Sequence, residues 1–186
     1  MATILTIFDF DDTLVRSHGT KVRVQHSDGT SSELTSAEYA RYEKLPGDEF
    51  DYSDFELYPH SAEPIQETFA ALRRSQAAGH DVMVLTARSR WQPVRRYLED
   101  NGFGAVAVYA VGSSNPMAKA RAVIDLVRRF DYELVEVYED NLHNIRAIKR
   151  VVTNRGLAFR SVKVASTGRH VALEARRGRR SPGPGG

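Results

Sequence analysis

Near the start of the chain, an apolar run is followed at once by three aspartates and a threonine, namely Asp9, Asp11, Asp12 and Thr13. Apolar runs of this length that end in polar residues are typical of strands buried on both faces of a parallel sheet. The acids then lie just past the carboxyl end of that strand, at the sheet edge where ligands bind. Gathered carboxylates repel one another unless a cation lies among them. We therefore predict a site for a hard divalent metal, Mg²⁺, with one acid left for chemistry.

Two other predicted strands end in residues of similar character. Thr86 ends a second apolar run and is followed by Arg88, while Glu139 and Asp140 follow a later apolar run. The carboxyl ends of parallel strands meet at one edge of the sheet, so these side chains are expected beside the first acids. Each polar group taken alone also fits a simpler role, which is to cap backbone N–H groups where a strand or turn ends.

Lys119 lies in the first turn of a predicted helix, which Asn115 caps and Pro116 opens. A cation in that turn opposes the helix dipole unless an anion binds beside it. A lone first-turn lysine is usually a solvated surface residue. Its position among acid-bearing strand ends favours a functional role, and Asn144 lies one helical turn after Asp140 in the same set.

Taken in their order along the chain, these residues resemble the motifs of the haloacid dehalogenase (HAD) superfamily of phosphohydrolases. Four motifs carry the resemblance, over about residues 2–165. They are Asp9-Phe10-Asp11-Asp12-Thr13-Leu14 against the family pattern Asp-x-Asp-x-Thr-Leu, Thr86 at a strand end, Lys119 at a helix start, and Glu139-Asp140 with Asn144. The first motif is quite specific, whereas Thr86 or Lys119 alone is a weak signal. Glu139 departs from the pattern, because many members have Gly or Asp there.

The resemblance implies a phosphatase mechanism with two aspartates as catalytic residues. Asp9 is then the nucleophile that forms an aspartyl-phosphate, and Asp11 is the general acid and base. Mg²⁺ is then bound by the carboxylates of Asp9 and Asp140 and by the backbone carbonyl of Asp11.

The remaining residues receive supporting roles by the same resemblance. Thr86 and Lys119 bind phosphoryl oxygens, and Asn144 either supports the metal ligands or holds Lys119. Glu139 lies beside the metal ligands, and the departure from the pattern leaves its own contact to the metal open. From its position just after Thr86 at a predicted strand end, rather than from the resemblance, Arg88 is expected either to contact a second anionic group of the substrate or to pair with Glu139.

The elements that must position these residues alternate between strands and helices. We predict strands at 4–8, 81–86, 105–111, 134–138 and 161–165, and helices at 90–101, 116–130 and 141–154. Another helix is predicted from a cap at Ser61 to Gly79. This alternation indicates an α/β fold with a doubly wound, Rossmann-like parallel sheet, here of HAD type.

A polar segment, residues 16–60, interrupts this pattern and is called the insertion below. Asp28-Gly29 predicts a hairpin, and the capping box at Thr35 and Glu38 predicts a helix to about Leu45. The acidic stretch 48–56, with its interleaved aromatic residues, is expected to be a loop, either a substrate lid or a solvated connector.

Composition bounds the setting of the protein. The chain of 186 residues has no cysteine, which excludes disulfides, zinc–thiolate sites and cysteine nucleophiles. We expect no signal peptide and no membrane span, and hence a cytoplasmic protein.

One domain is predicted over 1–167, followed by a tail at 168–186 with five arginines against one acid, a net charge of +4. Because this Gly- and Pro-rich tail carries little apolar surface, we expect it to be disordered.

The predicted activity is Mg²⁺-dependent hydrolysis of phosphomonoesters. A response-regulator receiver domain is less consistent with the sequence, because Asp9 and Asp11 follow the same strand and no aspartate ends the third predicted strand.

The insertion is smaller than a full cap domain, which suits a bulky substrate or a partner subunit that closes the site. Phosphatases of polynucleotide 3′-ends and of nucleotides or sugar phosphates are the alternatives, although the acidic stretch 48–56 counts against a long nucleic acid track.

Overall fold

The structure is a computed structural model that describes residues 3–39 and 41–176. In chain order its strands are β1 (Ile4–Phe8), β2 (Val15–Arg16), β3 (Val22–Gln25), β4 (Ser31–Leu34), β5 (Glu49–Asp51), β6 (Glu63–Pro64), β7 (Asp81–Thr86), β8 (Ala107–Ala110), β9 (Leu134–Glu139), β10 (Ala158–Val164) and β11 (His170–Arg176). Its helices are α1 (Ser36–Tyr39), α2 (Gln66–Ala77), α3 (Gln92–Asp100), α4 (Pro116–Arg129) and α5 (Leu142–Thr153), with a 3-10 helix at Ser53–Glu56.

A six-stranded sheet lies at the centre, in the order β11-β10-β9-β1-β7-β8. Neighbouring strands from β10 to β8 are parallel, and only the β10–β11 pair in this sheet is antiparallel. The order along the sheet reverses at β1, since β7 and β8 lie on one side of it and β9 and β10 on the other. The prediction of an α/β fold with a mainly parallel sheet is confirmed, and the arrangement is compatible with a Rossmann-like fold.

Helices cover both faces of this sheet. On one face, Leu5 and Ile7 of β1 share an apolar cluster with Val123 of α4 and Ile148 of α5. On the other face, Phe8 packs in a second cluster with residues of α2 and α3. Because successive side chains of a strand point to opposite faces, an almost continuous apolar run such as β1 is what a sheet covered on both sides requires.

The helix predicted to begin after Ser61 begins later than expected. Glu63 and Pro64 form β6, which pairs antiparallel with β2, and α2 starts at Gln66. The pattern of Glu and Pro near a capping serine is typical of a helix start, but pairing with a distant strand prevails here. The end of α2 is as predicted, with Gly79 at a φ of +76° just beyond it.

The insertion contains more regular structure than its sequence indicates. The predicted hairpin is present as β3 and β4, and β5 adds a third strand in the order β4-β3-β5. The stretch 48–56 is therefore not simply a loop, because β5 and the 3-10 helix occupy most of it. The capping box is confirmed, since Glu38 accepts from the Thr35 N–H at 2.7 Å and donates its own N–H to Thr35 Oγ1 at 3.2 Å. The helix that it opens, α1, ends at Tyr39 rather than near Leu45.

The prediction of a disordered tail from residue 168 is wrong for residues 170–176, which form β11. This strand pairs with β10, and its Leu173 packs against the apolar cluster on the α4–α5 face. Pairing with an available sheet edge supplies hydrogen bonds that composition alone does not reveal. The rest of the predicted tail, 177–186, lies outside the described residues.

None of the helices in the described part of the chain has the length and apolar character that crossing a bilayer requires.

Candidate active site

Asp9 lies directly after β1, where its backbone N–H donates to the Tyr138 carbonyl of β9 at 3.0 Å. Thr13 links the ends of these two strands. Its hydroxyl donates to Asp9 Oδ2 at 3.2 Å and accepts from the Asp140 N–H at 3.1 Å. Asp9 and Asp140 are thus held next to each other at the point where the strand order reverses, which is where open α/β sheets bind ligands.

A tight turn follows Asp9 and returns the chain towards β2. The Phe10 carbonyl accepts from the N–H groups of Leu14 and Val15, at 2.9 and 3.1 Å. Asp12 lies within this turn at a φ of +59°, a left-handed conformation that aspartate tolerates better than most residues. Asp12 therefore shapes the turn through its backbone conformation.

Lys119 is 3% exposed, which overturns the expectation for an ordinary first-turn lysine. Its Nζ donates to Asp9 Oδ1 at 2.6 Å and to Glu139 Oε2 at 2.8 Å. The predicted cap positions it, since Asn115 accepts from the Met117 N–H and Pro116 opens α4. Burial alone would lower the pKa of Lys119, but the two carboxylates raise it above its usual range, so the ammonium stays charged.

Asp9, Glu139 and Asp140 form an acid cluster in which one oxygen of each lies within 4.8 Å of the others. When all three are ionised, three negative charges face the single positive charge of Lys119, which leaves a net charge of −2. Burial, followed by repulsion from Glu139, raises the pKa of Asp9 to about 7 despite Lys119. Burial and the carboxylates of Glu139 and Asp9 raise the pKa of Asp140 to about 9. Lys119 therefore balances only one of the three negative charges. The oxygens of the cluster are hard donors, which are the ligands that Mg²⁺ prefers.

Glu139 was predicted to lie beside the metal ligands, with its own contact to the metal left open, and the structure places its carboxylate inside the cluster. It also accepts from Lys119 and, through Oε1, from the Asn141 N–H at 3.1 Å. Its side chain is 1% exposed, so these bonds compensate for its burial.

The carboxylate of Asp11 is not part of this cluster and pairs with Arg88, although Asp11 lines the same cavity as the cluster. Arg88 donates from Nε and Nη2 to the two Asp11 oxygens, at 2.8 and 2.7 Å, and Ser17 donates to the same carboxylate. The predicted pairing of Arg88 with Glu139 is therefore wrong. Arg88 is 3% exposed, and its Nη1 donates to the carbonyls of Phe55 and Leu57 in the insertion.

Two predicted residues are near the site without the contacts expected of them. Thr86 is fully buried at the end of β7, where its hydroxyl accepts from the Arg88 N–H at 3.2 Å. Its neighbour Ala87, rather than Thr86, lines the cavity described next. Asn144 does line that cavity, but among the described residues its side chain makes no hydrogen bond to Lys119.

The acids open into a cavity of about 810 Å³. The core of the protein contributes the acids, Lys119 and the loops that follow β7 and β8. The opposite wall belongs to the insertion, through Val22, Ser36, Tyr39, Tyr42, Lys44, Tyr52, Phe55 and Glu56. Of the two interpretations of the stretch 48–56, the structure favours the lid, since Tyr52, Phe55 and Glu56 face the site.

Ser17 and the wall residues outside the stretch 48–56 were not predicted to belong to the site. The capping box placed Ser36 and Tyr39 on a helix, but nothing in the sequence indicates which side of that helix faces the acids. Ser17 follows a turn whose course depends on the left-handed conformation of Asp12, which local patterns do not specify.

No protein-family model and no curated protein matches this chain. Its function therefore has to be inferred from the acid cluster and the cavity.

Proposed function

We propose that the protein is a phosphomonoester hydrolase of the haloacid dehalogenase type, which uses Mg²⁺ and forms an aspartyl-phosphate at Asp9. The observation that carries the proposal is the position of Asp9. The residue is 6% exposed, and its carboxylate lines an open cavity and belongs to an acid cluster with an excess of negative charge. A cluster of this kind is stable in its ionised form only with further positive charge.

The residues present fit a magnesium ion. Asp9, Glu139 and Asp140 would hold it, since each offers an oxygen to the same small volume. The bound ion would remove the repulsion between the attacking carboxylate and the phosphate dianion. We propose Glu139 as a metal ligand, beyond the supporting role expected from the sequence, because its carboxylate lies in the cluster. The backbone carbonyl of Asp11 remains the further ligand that the resemblance implies.

The reaction then has two steps. In the first, an Asp9 oxygen forms a bond to phosphorus, the bond from phosphorus to the ester oxygen breaks, and Asp11 gives that oxygen a proton. In the second, water attacks the phosphorus of the aspartyl-phosphate and Asp11 takes a proton of that water. The bond from phosphorus to the Asp9 oxygen breaks, which regenerates the Asp9 carboxylate and releases inorganic phosphate. Asp11 is paired with Arg88 in this structure, so the ion pair has to open and Asp11 has to take up a proton before the first step.

Lys119 contributes orientation and charge. Its 2.6 Å bond to Asp9 fixes the carboxylate, and its buried ammonium is available to the phosphoryl oxygens once phosphate enters. A fixed charge in a site with little water stabilises a transition state more than the same charge in solvent.

The test is release of phosphate from an aryl phosphate with Mg²⁺ present. We expect turnover that EDTA abolishes and that Asp9→Asn lowers by more than about a thousandfold, since the nucleophile is lost. Asp125→Asn is the matched control, because Asp125 is an exposed residue of α4 whose carboxylate is 3.9 Å from Arg128. It should retain the activity of the original protein. Turnover that survives either EDTA or Asp9→Asn would contradict the proposed mechanism.

A further inference from the structure

The cavity is much larger than a phosphate group. At about 810 Å³ it lies in the upper part of the range of small-molecule sites, about 300–1,000 Å³. The acids and Lys119 occupy its core side, so most of the volume lies between them and the insertion. We assign that space to the leaving group of the substrate, which is the part that carries the ester oxygen.

The insertion presents aromatic rings to this space. Tyr39, Tyr52 and Phe55 line it, and Tyr39 and Tyr52 are joined through their hydroxyls at 2.6 Å. Phe50 supports them from behind, stacked on Tyr52 with centroids 6.2 Å apart and an angle of 19° between the rings. Tyr52 remains 40% exposed. The cluster therefore carries ring surface that its own packing does not cover.

Two polar side chains, Ser36 and Lys44, lie beside these rings. Ser36 Oγ is buried against the cavity and has no hydrogen-bond partner among the described residues. Lys44 lies over the rings of Tyr39 and Phe50, with Nζ 5.2 and 4.9 Å from their centroids. No carboxylate of the described residues lies within ion-pair distance of its Nζ. A buried hydroxyl left unpaired is costly, and a ligand with a hydrogen-bonding edge would satisfy it.

We propose that this wall binds a nucleobase, so that the substrates are nucleoside phosphates, either free mononucleotides or the phosphorylated end of a strand. The inference rests on the proposed phosphatase function and specifies its substrate class. A base has a flat face that stacks on tyrosine, and polar edge atoms that can reach Ser36 and Lys44. A sugar phosphate, phosphoserine or phosphothreonine has no such face and would leave the ring of Tyr52 in water. Phosphotyrosine has an aromatic face but no polar edge atoms on its ring to reach Ser36.

The first experiment compares substrates that differ only by the base. We expect kcat/KM for adenosine 5′-monophosphate to exceed that for ribose 5-phosphate by about tenfold or more. Adenosine 3′-monophosphate and 3′- and 5′-phosphorylated oligonucleotides form the other arms, which identify the source of the nucleoside phosphate. Equal kcat/KM values with and without the base would overturn the proposal.

The second experiment removes the exposed ring. Tyr52→Ala should lower kcat/KM for the preferred nucleotide by about tenfold, mainly through KM, and change that for ribose 5-phosphate by less than about twofold. Tyr52→Phe keeps the stacking face and should restore most of the loss. Tyr109→Ala is the matched control, because Tyr109 is a 51% exposed tyrosine of β8 that does not line the cavity. An equal loss for both substrates in Tyr52→Ala would overturn the proposal.

A binding measurement separates this inference from the proposed chemistry. Adenosine is titrated into the Asp9→Asn protein by calorimetry, with and without Tyr52→Ala, so that no turnover is needed. We expect binding that Tyr52→Ala weakens by about tenfold. Absence of phosphate release with adenosine binding intact would mean that the catalytic proposal alone has failed. Absence of adenosine binding, or binding that Tyr52→Ala leaves unchanged, would overturn the base site.

Discussion

At the scale of single residues, the acid cluster determines how the protein responds to pH. An aspartate in an unfolded chain has a pKa of about 3.9. In the folded protein, the pKa of Asp9 is about 7 and that of Asp140 about 9, because both are desolvated beside other carboxylates. Between the unfolded-state pKa and the folded-state pKa of each group, the folded state binds more protons than the unfolded state. The stability of the folded state therefore falls as pH rises through this range.

We predict that the metal-free protein loses free energy of unfolding from about pH 4 upwards. The loss continues to about pH 7 through Asp9 and to about pH 9 through Asp140. Each group contributes a slope of about 1.4 kcal/mol per pH unit while it is ionised only in the unfolded state. Mg²⁺ should stabilise the protein most at high pH, where the ionised cluster is ready to bind it.

Urea unfolding in EDTA and in Mg²⁺ at about pH 5, 7 and 9 measures this effect. Asp140→Asn is the control, because it should flatten the metal-free profile between about pH 7 and 9. Metal-free stability that is flat or rises across the whole window would show that the cluster does not have the predicted charge.

Residue patterns were sufficient to predict part of the site. Asp9, Lys119 and Asp140 lie together because strand ends and a capped helix start are local features, and the parallel sheet brings them to one edge. The Arg88–Asp11 pair was not predictable in this way, because it depends on how the turn at Asp12 aims one side chain. The burial of Glu139 likewise depends on Lys119, which is distant in sequence.

At the scale of elements, Arg88 connects the loop after β7, the turn after β1 and the insertion. Its guanidinium holds the Asp11 carboxylate on one side and the Phe55 and Leu57 carbonyls on the other. We predict that Arg88→Met lowers the free energy of unfolding by about 3 kcal/mol, since it leaves a partly buried carboxylate without its cation. Arg88→Lys should lose less, because lysine keeps the charge but cannot form the two parallel bonds.

Urea unfolding checks this prediction, and amide hydrogen exchange at 53–57 should be faster in Arg88→Met. Arg95→Met is the matched control, since Arg95 forms an exposed pair with Glu99 of α3 at 2.8 Å. It should cost less than about 0.5 kcal/mol. Equal losses at the two arginines would mean that Arg88 does not hold the insertion to the core.

The central elements were predictable from the sequence, while the peripheral ones were not. The apolar runs of β1, β7 and β9 identify buried strands without further information, and α4 has its cap and its proline as local signals. In contrast, β6 has only two residues and is a strand only because β2, distant in sequence, pairs with it. β11 forms a hairpin with β10, but it lies next to the Arg- and Gly-rich end of the chain, whose composition suggested disorder.

At the scale of the whole molecule, β11 closes one edge of the central sheet. A chain that ends at Arg169 lacks this strand, exposes the edge of β10 and uncovers apolar surface beneath Leu173. We predict a loss of about 2 kcal/mol or more, or roughly 4–8 °C in Tm, together with self-association through the free edge. Thermal unfolding and light scattering measure the two effects. If a chain ending at Arg176 already shows the same loss, β11 is not its cause.

The chain enters and leaves the insertion side by side. Val15 and Arg16 pair with Pro64 and Glu63, and the Ile65 N–H donates to the Leu14 carbonyl at 2.8 Å just below them. The gap between the two ends is only one strand spacing, which a two-residue turn spans. The insertion is also tied to the core by Arg88, by the bond from Ser17 to Asp11 and by the contacts of Glu56 with Ser89 and Arg90. If these ties are kept, an evolving gene could shorten, lengthen or exchange the rest of the insertion without moving the acid cluster. In the proposed hydrolase, the residues that select the substrate could therefore change in evolution independently of the acid cluster.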